Sequence, residues 1–300
     1  MVKPNDPPVI EVTFWGTRGS VSTPGRITKK YGGNTPCVSV RVDGSVIIFD
    51  AGTGIRNLGL ELLGQGKDNG RPLSLHLFLS HTHWDHIQGL PFFQPIYEKA
   101  TELTIYGSPK KGKFLESILK GQMDLEYFPI GLSQLEAALT IQEISSRAIR
   151  IGPMIVDWQE QHLHPGGSVR YRISIGTKRL VYATDVELDL LFDENGDPEQ
   201  KKKQLNEYLD FIRGADLLIA DGQYSESEYP SKKGWGHTSV PVLMALAQEA
   251  EVKQVAVFHH DPQHSDAFLD ELWRKYRKDV ERAGRVVTVF WAREGMTLAI

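Results

Sequence analysis

Cysteine is nearly missing from this 300-residue chain, which has Cys37 and no other. No intrachain disulfide can form, and a thiolate zinc cluster is excluded. Set just before the apolar alternation VSVRV, Cys37 reads as a small buried hydrophobe. No apolar run approaches the length of a membrane span. The opening MVKPNDPPVIEV has two adjacent prolines and no apolar stretch of signal-peptide length. An excess of one charge is lacking too: 34 Lys and Arg against 38 Asp and Glu leave a formal charge of −4. Nothing global therefore draws the chain to nucleic acid or to an anionic membrane, and an anionic substrate must be attracted locally. Neither a solenoid-period repeat nor a long disordered linker is visible. The expectation is a soluble chain in a reducing, cytoplasmic setting. It is long enough to bury roughly three quarters of its unfolded surface in one large domain.

What is present is a succession of short strands and amphipathic helices. VIEVTFWG and CVSVRVDGSVIIFDAG read as strands, the second split by a DG hairpin turn. IRNLGLELLGQG has helical leucine spacing and ends at glycine, and LSLHLFLS is a continuous apolar strand. A second pass offers LTIYG, LTIQEI and MIVDWQEQHLH as strands, FLESILKGQM as a helix, and YRISIGTKRLVYATD as a hairpin turning at GTK. DENGDPEQKKKQ reads as a solvated loop or helix start. Beyond it, ADLLIADG and VKQVAVFHHD read as strands, with SVPVLMALAQEA and SDAFLDELWRKYRKDVERAG as helices and VVTVFW as the last strand. Strand-rich halves each followed by helices predict two sheets with helices outside them.

The densest chemistry lies in HTHWDH, residues 81–86, where three of the ten histidines and one aspartate follow an apolar strand. Imidazole and carboxylate are donors that zinc and related divalent ions accept. At this spacing His81 and His83 can face one ion while Asp85 and His86 face another. The alternative is a solvated polar turn in which His86 caps a helix, and four ligand-type residues in six positions argue against it.

With this motif the chain resembles the metallo-β-lactamase superfamily, whose HxHxDH pattern is matched in full by His81, His83, Asp85 and His86. The resemblance runs through most of the chain. It implies an α/β fold, a four-layer αββα sandwich over residues 1–300, with two αβ halves meeting near 145–155. It also implies a later histidine, then an aspartate bridging two metals, then a last histidine. HLHPGG, YATD and FHHDP occur in that order. Comparison with the phosphodiesterase branch selects His164 over His162, which is left a structural role, then Asp185, then His259, with His260 as a supporting donor. Asp185 stands where some lactamases of the family have a cysteine. Its presence implies two divalent ions, zinc foremost and manganese or iron as alternatives, and disfavours β-lactam hydrolysis. A homodimer is implied by the same branch.

In such a site a hydroxide shared by two ions attacks phosphorus, and the leaving alkoxide needs a proton. GWGHTS, residues 234–239, resembles the segment that carries this acid in transfer-RNA 3′-processing endonucleases, which makes His237 the candidate. Asp221 replaces the glutamate that pairs with it there. His237 or Thr238 could instead merely cap the following helix. WGTRGS and YGGNTPC look like the N-terminal loops of this branch and offer Arg18, Asn34 and Thr35 as substrate contacts, or else are ordinary turns.

Transfer-RNA endonucleases of the family carry a long arm between the GYRI-like strand and the bridging aspartate, where this chain has only SIGTKRLVYAT. The short basic runs KKGK and KKK at 110–113 and 201–203 read as solvated surface, so no stable nucleic-acid complex and no membrane partner are expected. On sequence alone the favoured substrate is a small phosphodiester, a cyclic nucleotide. The alternatives are an RNA-processing endonuclease of the transfer-RNA 3′ type and a non-enzymatic metal-binding nucleotide sensor.

Overall fold

The structure, a computed structural model, describes residues 9–66, 72–108, 114–145, 148–282 and 287–300. KKGK at 110–113 lies outside them. The strands are β1 (Glu11–Gly16), β2 (Cys37–Val42), β3 (Ser45–Phe49), β4 (Leu73–Phe78), β5 (Thr101–Gly107) and β6 (Ala138–Glu143). They continue with β7 (Ala148–Ile151), β8 (Met154–Gln161), β9 (Ser168–Ile175), β10 (Lys178–Ala183), β11 (Leu217–Asp221), β12 (Gln254–Phe258), β13 (Thr288–Trp291) and β14 (Thr297–Ala299). Helices are α1 (Ile55–Gly66), α2 (Trp84–Ile87), α3 (Leu115–Gln122), α4 (Pro198–Ile212), α5 (Tyr229–Lys232), α6 (Val240–Glu249) and α7 (Asp266–Arg282).

Two seven-stranded mixed sheets result, in the orders β14-β1-β2-β3-β4-β5-β6 and β13-β12-β11-β10-β9-β8-β7. The period-2 alternation of strand side chains sorts their apolar groups between two faces. Ile47 and Phe49 of β3 join Leu217 and Ile219 of β11 in a core between the sheets. Val46 and Ile48 face a second core with Leu58 of α1 and Leu119 of α3. Leu218 and Ala220 face a third with residues of α4, α6 and α7. Three apolar layers separate four layers of structure, the expected αββα sandwich. Each fully buried Leu, Ile, Val or Phe contributes about 1.5–3 kcal/mol.

The DG turn joins β2 to β3 with Val42 opposite Ser45, and Asp43 and Gly44 have φ of 48° and 81°, the positive pair that tight antiparallel hairpins favour. The second hairpin pairs Ile175 with Lys178, leaving Gly176 and Thr177 as its whole turn. DENGDPEQKKKQ starts α4, with the Asp197 side chain accepting from Glu199 N. One expectation is corrected. VVTVFW is not the last strand, because β14 follows it and pairs with β1 in the other sheet. β7 joins β8 as an edge strand. No described helix is long and apolar enough to cross a membrane.

Candidate metal centre

The functional side chains gather where the two sheets present the C-terminal ends of β3, β4, β10, β11 and β12. His81, His83, Asp85 and His86 follow β4 into α2; His164 lies between β8 and β9; Asp185 follows β10 and His259 follows β12. Six described non-glycine residues have positive φ, and three of them are Asp50, Asp185 and His259, at 60°, 55° and 61°. Each sits within two residues of a strand end. Such left-handed residues cost on the order of 1–3 kcal/mol and persist where their surroundings hold them. Here the sharp turn brings a side chain from the strand end into the space between sheets.

The donors converge tightly. The ring of His81 lies 4.4, 4.3 and 4.9 Å from those of His83, His86 and His164. Asp85 Oδ2 is 3.3 Å from His86 Nε2 and 3.2 Å from His259 Nε2. Asp185 is central to both groups. Its Oδ1 is 3.7 Å from His81, 3.9 Å from His164 and 3.5 Å from His259, and its Oδ2 is 3.2 Å from His86.

Four of the rings are held by their other nitrogen. Nδ1 of His81 lies 3.1 Å from Ser80 Oγ, that of His86 2.8 Å from Asp50 Oδ2, that of His164 2.9 Å from the Gly236 carbonyl, and that of His259 2.8 Å from Gln223 Oε1. Such partners fix ring orientation and tautomer. Asp50 does more, since it also accepts from Ser80 N and Oγ and from Tyr182 of the opposite sheet. Sequence reasoning missed Asp50, Gln223 and the carbonyl of Gly236. The signal for Asp50 was there, an aspartate closing the buried strand in IIFDAG.

The residues fit a pair of divalent cations. Nε2 of His81 is buried without a hydrogen-bond partner, a costly state for a polar atom that lacks another acceptor or ligand, and Nε2 of His86 faces only the carboxylates of Asp85 and Asp185. Burial, then the neighbouring His86, holds His81 well below its usual pKa, and burial takes His164 down to about 4, so both are neutral nitrogen donors. Burial resists ionisation of Asp85, but the contacts with His86 and His259 outweigh it and hold the carboxyl well below its usual range. His81, His83 and His164 would hold one ion, Asp85, His86 and His259 the other, with Asp185 between them.

His237 stands beside this cradle, at the N-terminal approach to α6. Its Nδ1 is 2.7 Å from Asp221 Oδ2, its ring stacks on His259 at 4.8 Å, and it meets His164 edge-on at 5.4 Å. Burial opposes its charge, yet Asp221 and then Asp185 and Asp85 raise its pKa to about 9. Cations held by Asp185 and Asp85 would cancel the last two contributions and leave Asp221. The helix-cap alternative does not match: the N-cap is Ser239, without a side-chain cap, and Thr238 Oγ1 bonds to Val186 O and Leu188 N.

The three expected substrate contacts are engaged in bonds between loops. Arg18 is fully buried, and its guanidinium donates to the carbonyls of Gly32, Asp261 and His264. Thr35 is also fully buried, and its hydroxyl accepts from Thr53 N and Gln88 Nε2. Asn34 donates to Glu294 and accepts from Thr53 Oγ1. These side chains tie loops together. The WGTRGS loop reaches the centre by another route, with Ser20 N donating to Asp85 Oδ2 at 2.8 Å. His260 is buried with Nε2 2.8 Å from the Ala292 carbonyl, and His162 is largely exposed beside Glu160 rather than packed in a structural role.

Ribonuclease Z of Pyrococcus furiosus is 22% identical over 86% of this chain and 88% of its own length. Among solved structures, unliganded yeast PDE1 superimposes with a TM-score of 0.69 at 18% identity, covering 98% of this chain and all of that one. Human tRNase Z, short form, does so at 0.62 and 16% identity over 96% of this chain and 98% of that one. These structural likenesses establish the fold. Residues 46–260, most of the chain, match the model of the beta-lactamase superfamily domain, and the chain belongs to that family.

Proposed function

We propose that this chain is a metal-dependent phosphoric diester hydrolase that cleaves RNA in the manner of ribonuclease Z. The reading is carried by the His237–Asp221 pair, stacked on His259 beside the donor cluster. A leaving alkoxide needs a proton at that place, and thioester or β-lactam hydrolysis gives the pair no comparable task. Two divalent ions, when bound, supply Lewis-acid neutralisation of phosphoryl oxygens and an activated water at neutral pH. His237 holds a proton at Nε2 for the leaving oxygen, and Asp221 fixes its tautomer and stabilises its charged form. Ser20 N, Gln223, Asp50 and the Gly236 carbonyl keep the donors oriented.

The sequence alone favours a cyclic nucleotide; the RNA reading is supported over it by near-full-length relatives from Pyrococcus furiosus, Thermoplasma acidophilum and Staphylococcus aureus that are named ribonuclease Z. A small cyclic phosphodiester is the second reading. It is favoured by the two-residue turn at Gly176 and Thr177, where transfer-RNA endonucleases of the family carry their arm. Zinc as the metal and a homodimer as the assembly belong to the same proposal.

One panel separates these readings: metal-analysed protein assayed on precursor transfer RNA with a 3′ extension, on cyclic nucleotides and on bis-p-nitrophenyl phosphate. Endonucleolytic cleavage with the highest kcat/KM is the expected result. Turnover of cyclic nucleotides without RNA cleavage promotes the second reading. Tight metal binding with no hydrolysis of any substrate leaves only the sensor.

A further inference from the structure

Of the six tryptophans in the chain, four are buried or half-buried. The two exposed ones are Trp84, at 65%, and Trp235, at 58%. An indole left in water forgoes the largest burial gain any side chain offers, and isolated exposure would carry little meaning. Their positions do carry meaning. Trp84 lies between the donors His83 and Asp85, and Trp235 precedes Gly236, whose carbonyl holds His164. His83 and His164 are themselves in contact, rings 5.0 Å apart. Trp84 therefore leaves the backbone next to His83, and Trp235 next to the glycine whose carbonyl holds His164.

Neither indole is on a slack segment. Trp84 opens α2, whose first turn is closed by Gln88 N donating to Trp84 O at 2.8 Å. Trp235 is bracketed by two glycines whose amides bind one buried carboxylate, Gly234 N to Glu187 Oε1 at 2.7 Å and Gly236 N to Glu187 Oε2 at 2.8 Å. Tyr229 OH donates to the same group at 2.7 Å. Gly236, at φ 92°, admits no side chain, because a Cβ there would come within 2.4 Å of His164 Nδ1. Lys232 completes the arrangement with its Nζ 4.2 Å above the Trp235 ring. An aromatic face with a cation beside it is what proteins present to an unpaired nucleobase and its phosphate.

We infer that Trp84 and Trp235 are stacking platforms for unpaired nucleobases flanking the scissile phosphodiester, with Lys232 meeting a neighbouring phosphate. The inference rests on the phosphodiesterase reading and adds to it the side chains that meet the bases on either side of the cleaved bond. Base faces are presented to indoles without sequence preference, so affinity follows the presence of a base more than its identity.

The test compares two esters that share a p-nitrophenyl group, thymidine 5′-p-nitrophenyl phosphate and the base-free methyl p-nitrophenyl phosphate. In W84A and W235A the KM for the first rises relative to the second by roughly 5- to 100-fold, the range for losing one base–aromatic stack, with kcat little changed. W84F and W235F recover most of the loss. In parallel, tryptophan fluorescence of the metal-loaded His237→Ala protein, which does not consume the strand, is titrated with a single-stranded oligoribonucleotide and with its abasic counterpart. Quenching by the first alone supports the platforms. An unchanged KM ratio in both alanine variants, or equal quenching by the abasic strand, overturns them. Failure of the wild type to hydrolyse either ester sinks the phosphodiesterase reading, while the fluorescence titration still decides the stacking.

Discussion

Two stretches of this chain share the spacing His-x-His, and only one of them delivers both rings to the site. In HTH, residues 81–83, the rings lie 4.4 Å apart among the other donors. In HLH, residues 162–164, the side chain of His164 is 3% exposed and touches His83, while that of His162 is 66% exposed and lies 4.0 Å from Glu160. The course of the backbone beyond each strand makes the difference. After β4 the chain runs out between the sheets and straight into α2. After β8 it bends at Leu163, which packs on the core and whose carbonyl accepts from Glu187 N, so alternation is broken between the two histidines. Spacing proposes ligands, and the local path of the backbone selects among them.

The comparison is broken most severely at the residue both groups share. Among the described residues, Asp185 is the only one with a carboxylate within 4 Å of His81, His86, His164 and His259 together, and Asp185→Ala removes it. Turnover should fall to background and metal content by at least one ion per chain. Retention of both ions would show that the two groups hold metal independently.

His237→Ala comes next. It should keep both ions and lower kcat by about 10²–10⁴-fold, the usual contribution of a general acid. Loss of an ion would instead make His237 a ligand, which its proximity to His164 and Asp185 permits geometrically. The pH dependence has a definite sign. An acid works protonated, and the Asp221 carboxylate raises the pKa of His237 above its ordinary value, so activity falls as pH rises through that raised pKa. Asp221→Asn removes the charge that raises it, and the falling limb should move down toward the ordinary 6.5.

Asp50→Asn probes how the HTHWDH side is supported. The carboxylate accepts from Ser80 twice and from Tyr182 OH, besides meeting His86. An amide turns an acceptor into a donor facing them, and metal affinity should weaken about 10- to 100-fold. Isothermal titration with zinc measures it, and an unchanged affinity would make the bond to His86 dispensable.

Much of the fold and of the site is legible in the sequence, for identifiable reasons. Strands that pack on both faces, such as β3 and β11, carry continuous apolar runs, and the DG hairpin has its own turn chemistry. HTHWDH packs its donors into six positions, so local spacing is enough. The opposite sheet supplies His164, Asp185 and His259 singly, from the ends of three strands, and only their order within the superfamily pattern identifies them. β7 and β14 escape sequence reasoning because they are edge strands of four and three residues, mostly exposed or half-buried and too short for a pattern to stand out. Arg18 misleads because a charged residue in a glycine-rich loop looks exposed, whereas three backbone carbonyls bury it completely. Asp50 is hard to single out because one aspartate after a strand is most often a turn residue.

The smallest expected effect returns to the second His-x-His pair. His162→Ala should leave metal content and kcat unchanged and stability within about 0.5 kcal/mol, as for exposed positions without special contacts. Its neighbour Glu160 is 62% exposed at 4.0 Å, and such surface pairs contribute little. His164→Ala, two residues on, should lose an ion and expose the Gly236 carbonyl that now faces its Nδ1. Equal effects of the two substitutions would mean that the bend at Leu163 is not what separates them, and that His162 reaches the centre in solution. A difference confined to His164 assigns the selection to the backbone path, since residue type and spacing are the same in both pairs.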